Sequence, residues 1–145
     1  MAPLQTVDLE RADIHTMLML RQHEIEIRIR YHETDAQGHV HHATYFNWFE
    51  LGRVELMRAS GRGYEQIEAA GLHLVVADIS CRYYHPCRFG DAVQLCVNTL
   101  RARGARIDHE YRVTQGEQLL AEGKSTIACI DHHGRVHRLP DWLTE

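Results

Sequence analysis

Apolar and polar residues alternate along much of this chain, a pattern that predicts β-strands with one face in water. Residues 24–30 alternate strictly between charged residues and isoleucine. A longer apolar-rich stretch, residues 72–84, ends at His85-Pro86, because proline cannot donate a hydrogen bond to a sheet. Further strands are predicted over residues 93–98, 107–114 and 119–131, with turns at 89–91, 103–105 and 115–117.

One segment departs from this alternation and predicts a long helix over residues 43–59. Its apolar residues cover a broad surface, so the helix must be covered on most sides. They are Tyr45, Phe46, Trp48, Phe49, Leu51, Val54, Leu56 and Met57. Gly52 lies among them and favours the close approach of a neighbouring strand. Residues 60–63 end the helix, and residues 64–70 predict a second, short helix closed by Gly71.

The order of these elements, with one strand before the helix and four after it, predicts an α+β fold. We expect an antiparallel sheet wrapped around one long central helix, which explains how so apolar a helix stays buried. Residues 23–145 form this single domain. Residues 1–22 show no clear periodicity of hydrophobic residues and are predicted to be an N-terminal extension.

Composition narrows the functional classes. The chain has 145 residues, 44% of them hydrophobic and 25% charged, as expected for one globular domain. A net charge of -4 argues against a nucleic-acid partner. No apolar run approaches the roughly 20 residues of a membrane span. The cysteines form no C-x-x-C pair, and we expect reduced thiols in a cytoplasmic protein. They are Cys81, Cys87, Cys96 and Cys129.

Candidate chemistry is concentrated between the first strand and the long helix. Asp35 lies in a glycine-containing loop, and His42 follows seven residues later, where the helix begins. The first N–H groups of a helix have no partner within it and can stabilise a developing negative charge. Asp35 could therefore attack a thioester carbonyl or activate water, while the His42 N–H binds the oxyanion. The side chains of Tyr31 and His42 could orient Asp35 or the water.

Other interpretations stay open on the residues alone. An aspartate in such a loop is more often a turn residue than a catalyst. The 12 histidines raise the question of a metal, but we expect none, because their spacing is irregular and no cysteine lies near them. The two groups are His39, His41 and His42, and His132, His133 and His137. Arginines suited to phosphates are scattered and expected on an ordinary surface; they are Arg82, Arg88, Arg101, Arg103 and Arg106.

The chain resembles the hotdog-fold acyl-CoA thioesterases in two adjoining runs, Tyr31-His32-Glu33-Thr34-Asp35-Ala36-Gln37-Gly38 and His42-Ala43-Thr44-Tyr45. The pattern is that of the 4-hydroxybenzoyl-CoA thioesterase family, in particular its Tol-Pal-associated acyl-CoA thioesterase branch. Residues 49–58 and 81–91 are also similar to that family. Gln37 and His41 depart from the branch, which often has glycine and tyrosine there.

This resemblance implies a hotdog fold and a catalytic group made of Asp35, His42 and Tyr31. Asp35 matches the catalytic aspartate, His42 the position whose N–H polarises the thioester carbonyl, and Tyr31 a tyrosine of the same site. The positions it assigns to substrate binding are Gly38, Ala43 and Tyr45. It also implies a homodimer or homotetramer with active sites at the subunit interface. No cofactor is expected, since coenzyme A is part of the substrate.

We therefore predict an acyl-CoA thioesterase that releases a carboxylic acid and free CoA, with Asp35 as base or nucleophile. One alternative is a thioesterase for acyl chains on a carrier protein, which the negative net charge mildly disfavours. Another is a non-catalytic acyl-binding module or a histidine-metal protein on the same scaffold. An intact Asp35 argues against a pure binder, which has no need of a carboxylate near the thioester.

Overall fold

A computed structural model describes residues 20–145 of the chain. These residues form an antiparallel sheet with two helices, which confirms the α+β prediction. The elements are β1 (Gln22–Arg28), α1 (Thr44–Ala59), α2 (Tyr64–Ala69), β2 (Leu72–Tyr83), β3 (Ala92–Arg103), β4 (Arg106–Gln115) and β5 (Gln118–Asp131). Single 3₁₀ turns lie at Tyr31–Glu33 and Asp141–Leu143.

The sheet order is β1-β3-β4-β5-β2, and every neighbouring pair is antiparallel. Tight hairpins join β3 to β4 and β4 to β5, as the turn residues predicted. Gly104 and Gly116 have φ values of 60° and 61° there, a left-handed conformation that glycine adopts without a side-chain clash. The strand that follows the helices, β2, pairs with β5 at the far edge, so β1 and β2 are the two edge strands.

Helix α1 packs one face on the sheet. Phe49 is fully buried and stacks on Tyr111 of β4, with ring centroids 4.2 Å apart. Gly52 lies directly over β3, where an added Cβ would collide with Val97 and lie 2.8 Å from Leu95. The predicted close approach at Gly52 is therefore confirmed. On the opposite side Leu51 is 37% exposed, because the sheet of one chain covers a single face of this helix.

Two strands, β1 and β3, differ from their predicted bounds by more than one residue. The first strand spans Gln22–Arg28 and not residues 24–30, because the chain enters the 3₁₀ turn at Tyr31. The third strand continues to Arg103, where its pairing with β4 reaches the hairpin tip. Of the predicted extension, residues 1–19 lie outside the described residues. The carbonyl of Arg21 accepts a hydrogen bond from the N–H of Thr99 at 2.7 Å, so the chain already contacts the sheet there.

A polar group is buried between the second half of α1 and the sheet. Arg53 is 7% exposed, and its Nη1 donates to the hydroxyl of Tyr111 at 3.0 Å. That hydroxyl also pairs with Ser125. His109 is 6% exposed, and its Nδ1 has no hydrogen-bond partner among residues 20–145. Burial, helped by the charge of Arg53, lowers the pKa of His109 to about 4.

Candidate active site

The segment between β1 and α1 forms a compact loop centred on Asp35. Thr34 and Val40 pair across its base in an isolated β-bridge. The N–H of Asp35 donates to the carbonyl of His39 at 2.7 Å, and the N–H of Gly38 donates to the carbonyl of Asp35 at 3.0 Å. Gly38 has a φ of 80°, which other residues rarely adopt, so a glycine is required at this turn.

The two oxygens of the Asp35 carboxylate have different surroundings. Oδ1 accepts hydrogen bonds from the N–H groups of Gln37 at 2.8 Å and His39 at 3.3 Å. Oδ2 has no hydrogen-bond partner within residues 20–145. The interpretation of Asp35 as a turn residue is therefore correct for one oxygen, and it leaves the other oxygen available for chemistry.

The start of α1 presents an unpaired N–H beside this carboxylate. His41 accepts the N–H of Ala43 on its ring Nδ1 at 3.1 Å and the N–H of Thr44 on its carbonyl at 3.0 Å. Within the described part of the chain, the N–H of His42 has no acceptor. His41 thus satisfies the two amides after His42 and leaves the His42 N–H for a ligand. The sequence pattern indicates no role for His41, and the structure shows that its ring caps the start of α1.

Asp35 and His42 share one open cavity of about 260 Å³. Tyr83, from the end of β2, also lines this cavity, and its hydroxyl donates to the carbonyl of His42 at 2.7 Å. Burial raises the pKa of Tyr83 to about 12, so the hydroxyl keeps its proton at neutral pH. Sequence reasoning missed Tyr83, because 41 residues separate it from His42.

Buried contacts hold the loop and the helix start together. Tyr45 forms the floor of the cavity, and its hydroxyl lies 3.3 Å from the Sγ of Cys87. Glu33 accepts the indole N–H of Trp48 at 2.9 Å on one carboxylate oxygen and the N–H of Arg30 at 2.8 Å on the other. Because Glu33 lies two residues before Asp35, this buried contact fixes the Asp35 loop against α1.

The structure brings some of the predicted site residues together and separates others. Asp35, His42 and Tyr45 line the same cavity. Tyr31 is 77% exposed and packs edge-on against Phe89, with ring centroids 5.6 Å apart, and its side chain does not line that cavity. The remaining two predicted positions, Gly38 and Ala43, are exposed outside the cavity lining. The catalytic and binding roles of all six stay predictions.

The histidines and cysteines do not assemble into a metal site in the described residues. Between residues 20 and 145, no group of three or more histidine, cysteine, aspartate or glutamate side chains could hold a metal ion. The rings of His41 and His42 stack on each other at 4.2 Å. The four cysteines are unpaired thiols. No helix in the same part of the chain is long and apolar enough to cross a membrane.

Comparison with known proteins shows to which class of protein this fold and this site belong. The chain belongs to the Thioesterase-like superfamily, whose family profile matches residues 29–145. A crystal structure of a probable thioesterase from Bartonella henselae superposes with a TM-score of 0.77 at 31% sequence identity. The match covers 82% of this chain and 99% of that one, and the hotdog fold is confirmed.

Two curated relatives have named activities. The acyl-CoA thioester hydrolase YbgC of Escherichia coli O6:H1 is 29% identical over 106 residues, which are 72% of this chain and 79% of that protein. The chloroplastic acyl-acyl carrier protein thioesterase ATL3 of Arabidopsis thaliana is 27% identical over 120 residues. That match covers 81% of this chain and 63% of ATL3.

Proposed function

We propose that this protein hydrolyses acyl-CoA thioesters to a carboxylic acid and free CoA. One observation carries the proposal: a carboxylate oxygen and a helix-start N–H, both without partners in residues 20–145, belong to residues that line one cavity. Hydrolysis of a thioester needs a nucleophile or base on the carbonyl carbon and a donor for the carbonyl oxygen. The activity named for YbgC supports the same reaction.

The geometry suggests a division of roles. The thioester carbonyl oxygen accepts a hydrogen bond from the N–H of His42. This hydrogen bond makes the carbonyl carbon more electrophilic. In one route Oδ2 of Asp35 removes a proton from a water that attacks the carbon, the C–S bond breaks, and the proton passes to the departing CoA thiolate. In the other route Oδ2 itself attacks the carbon, the CoA thiolate leaves, and water hydrolyses the resulting mixed anhydride to release the acid and restore Asp35. The hydroxyl of Tyr83 holds His42 in place through its hydrogen bond to the His42 carbonyl. Preorganised donors of this kind need no rearrangement as the oxyanion forms.

The test is thiol release from a panel of acyl-CoAs by wild type and Asp35→Asn. Asparagine retains an Oδ1 acceptor for the two loop N–H groups, so the turn is kept while the charge is lost. We expect the rate to fall by about 100-fold or more, the usual contribution of a positioned base. Equal rates for the two proteins would refute the role of Asp35.

Asp131 offers a matched control within the same chain. Its Oδ1 accepts the N–H groups of His133 at 2.9 Å and Arg135 at 3.0 Å, and Gly134 follows with a φ of 78°. This is the same turn as at Asp35, but its carboxylate lies outside the cavity. Asp131→Asn should therefore keep full activity, which separates loss of charge at the site from damage to such a turn.

Three finer expectations belong to this proposal. The run from Tyr31 to His42 supports membership of the Tol-Pal-associated branch of the 4-hydroxybenzoyl-CoA thioesterase family. The exposed apolar side chains of Leu51 on α1 and Val76 on the edge strand β2 support a homodimer or homotetramer, with the open cavity completed by a partner subunit. The unpaired thiols support a cytoplasmic location, since reduced cysteines persist there.

A further inference from the structure

A small cavity lies beside the buried arginine of α1. Its volume of about 20 Å³ is the space of one water molecule or one monatomic ion. Most of its walls are aliphatic side chains of α1, the sheet and the C-terminal segment. Four polar residues complete the lining: Arg53 of α1, Tyr64 of α2, Thr99 of β3 and His109 of β4. All four can donate hydrogen bonds, and among the described residues the lining contains no aspartate or glutamate.

Arg53 brings a positive charge to this cavity without a carboxylate beside it. Its Nη1 donates to the neutral hydroxyl of Tyr111, and within residues 20–145 it forms no ion pair. Tyr64 also stays neutral at pH 7, because burial raises its pKa in spite of the nearby Arg53 charge. Glu50, three residues earlier on the helix, is exposed to water. Buried charges are almost always paired, since burial removes their hydration, so Arg53 requires a counter-ion.

His109 gives independent evidence for an acceptor in the same cavity. The residue is 6% exposed, and its Nδ1 is closed to solvent and has no hydrogen-bond partner within residues 20–145. The large majority of buried polar side-chain atoms in proteins are hydrogen bonded. The ring is neutral at pH 7, and in the tautomer protonated at Nδ1 it donates one hydrogen bond from that atom. An acceptor in the cavity satisfies this N–H and the guanidinium of Arg53 together.

Charge and size select the occupant of the cavity. The guanidinium of Arg53 repels a metal cation. Water would satisfy the Nδ1 of His109 but would leave the Arg53 charge unbalanced. A carboxylate or phosphate group balances that charge but needs more space than about 20 Å³. A monatomic anion fits both the charge and the volume, and chloride is the one that cells and buffers supply.

We propose that this cavity, here called the anion site, binds one buried chloride ion. The guanidinium of Arg53 supplies the opposite charge, and the Nδ1–H of His109 and the hydroxyls of Thr99 and Tyr64 supply further donors. The ion thereby ties α1 and α2 to strands β3 and β4, and its effect is on the stability of the fold. Neither Arg53 nor His109 lines the Asp35 cavity, so the proposal does not depend on the proposed function.

Chloride-dependent unfolding tests the proposal. Wild type is unfolded by heat at pH 7 in sodium chloride and in sodium gluconate at the same ionic strength, because gluconate is too large for the cavity. For a Kd of about 10 mM, we expect Tm to be about 5 °C higher in about 100 mM chloride than in gluconate. The rise should follow the logarithm of the chloride concentration once the site is filled. Equal Tm values in the two salts would refute the anion site.

Two variants of the same helix separate the anion site from a general salt effect. Arg53→Met removes the buried charge and leaves an apolar side chain, a change that proteins often tolerate, and its Tm should be the same in both salts. Arg58→Met makes the same change at an exposed position of α1 and should keep the full rise. An equal rise in both variants would overturn the proposal. If Arg53→Met does not fold, Thr99→Val removes one donor, and its rise should fall to about 2 °C.

Crystals of wild type grown in sodium bromide locate the ion directly. Bromide replaces chloride and scatters X-rays anomalously, so we expect an anomalous peak between the guanidinium of Arg53 and the Nδ1 of His109. Electron density there without an anomalous peak would identify a water molecule. Anomalous peaks confined to the protein surface would be adventitious ions only. Either of these two results would overturn the proposal.

Discussion

Acidification should destabilise this protein through His109, a histidine far from the candidate site. The folded chain holds His109 neutral, because burial and the nearby charge of Arg53 lower its pKa to about 4 from the ordinary 6.5. The unfolded chain binds a proton at about pH 6.5, so between pH 6.5 and 4 it carries more protons than the folded chain. The free energy of unfolding must therefore fall as the pH falls through this window.

The magnitude follows from the difference between the two pKa values. A difference of about 2.5 pH units at about 1.4 kcal/mol per unit gives a loss of about 3 kcal/mol by pH 4. Above pH 6.5 both states are neutral and the group contributes no slope. Because domains of this size have only about 5–15 kcal/mol of stability, the loss is large enough to measure.

The assay is urea unfolding at several pH values for wild type and His109→Gln. Carboxylates titrate in the same window, so the useful quantity is the difference between the two proteins at each pH. We expect that difference to shift by about 3 kcal/mol between pH 7 and pH 4. His73→Gln, which changes an exposed histidine, should follow wild type. A difference for His109→Gln that does not depend on pH would refute the argument that His109 is held neutral.

Two further variants test the packing and the site. Gly52→Ala should lower the free energy of unfolding by about 1–3 kcal/mol, because its Cβ would collide with Val97, and Asn47→Ala on the exposed side of the helix should change it little. Urea unfolding measures the free energy of unfolding of both variants. Equal values for the two would show that α1 and β3 are not in close contact at Gly52. Tyr83→Phe should lower kcat about fivefold with KM unchanged, as expected for losing one hydrogen bond worth about 1 kcal/mol at the helix start. An unchanged kcat would show that Tyr83 lines the cavity without contributing to catalysis.

Most of the fold could be predicted from local patterns. Alternation and turn residues placed all five strands, and the dense apolar run over residues 43–59 placed α1, because these signals depend only on near neighbours. Strand ends were less accurate. Pairing across the sheet extended β3 to Arg103, and the 3₁₀ turn at Tyr31 set the limit of β1.

The candidate site could be predicted only in part. Asp35 and His42 were found because the loop and the helix start that position them are continuous in sequence. His41 was not found as a cap, since its ring contact with the Ala43 N–H depends on loop geometry. The contacts of Glu33 with Trp48 and of Tyr83 with His42 join residues 15 and 41 positions apart, and no local pattern marks them.

By itself, the sequence determined the secondary structure, the α+β class and the two backbone positions on which the proposed chemistry depends. The tertiary structure decided which groups remain unpaired, because hydrogen bonding is settled only when distant segments meet. Within residues 20–145 it holds one oxygen of Asp35 in a turn and leaves the other without a partner, and it buries the Nδ1 of His109 without a hydrogen bond. It also brought the guanidinium of Arg28 within hydrogen-bond distance of the Gly90 carbonyl, 62 positions further along the chain.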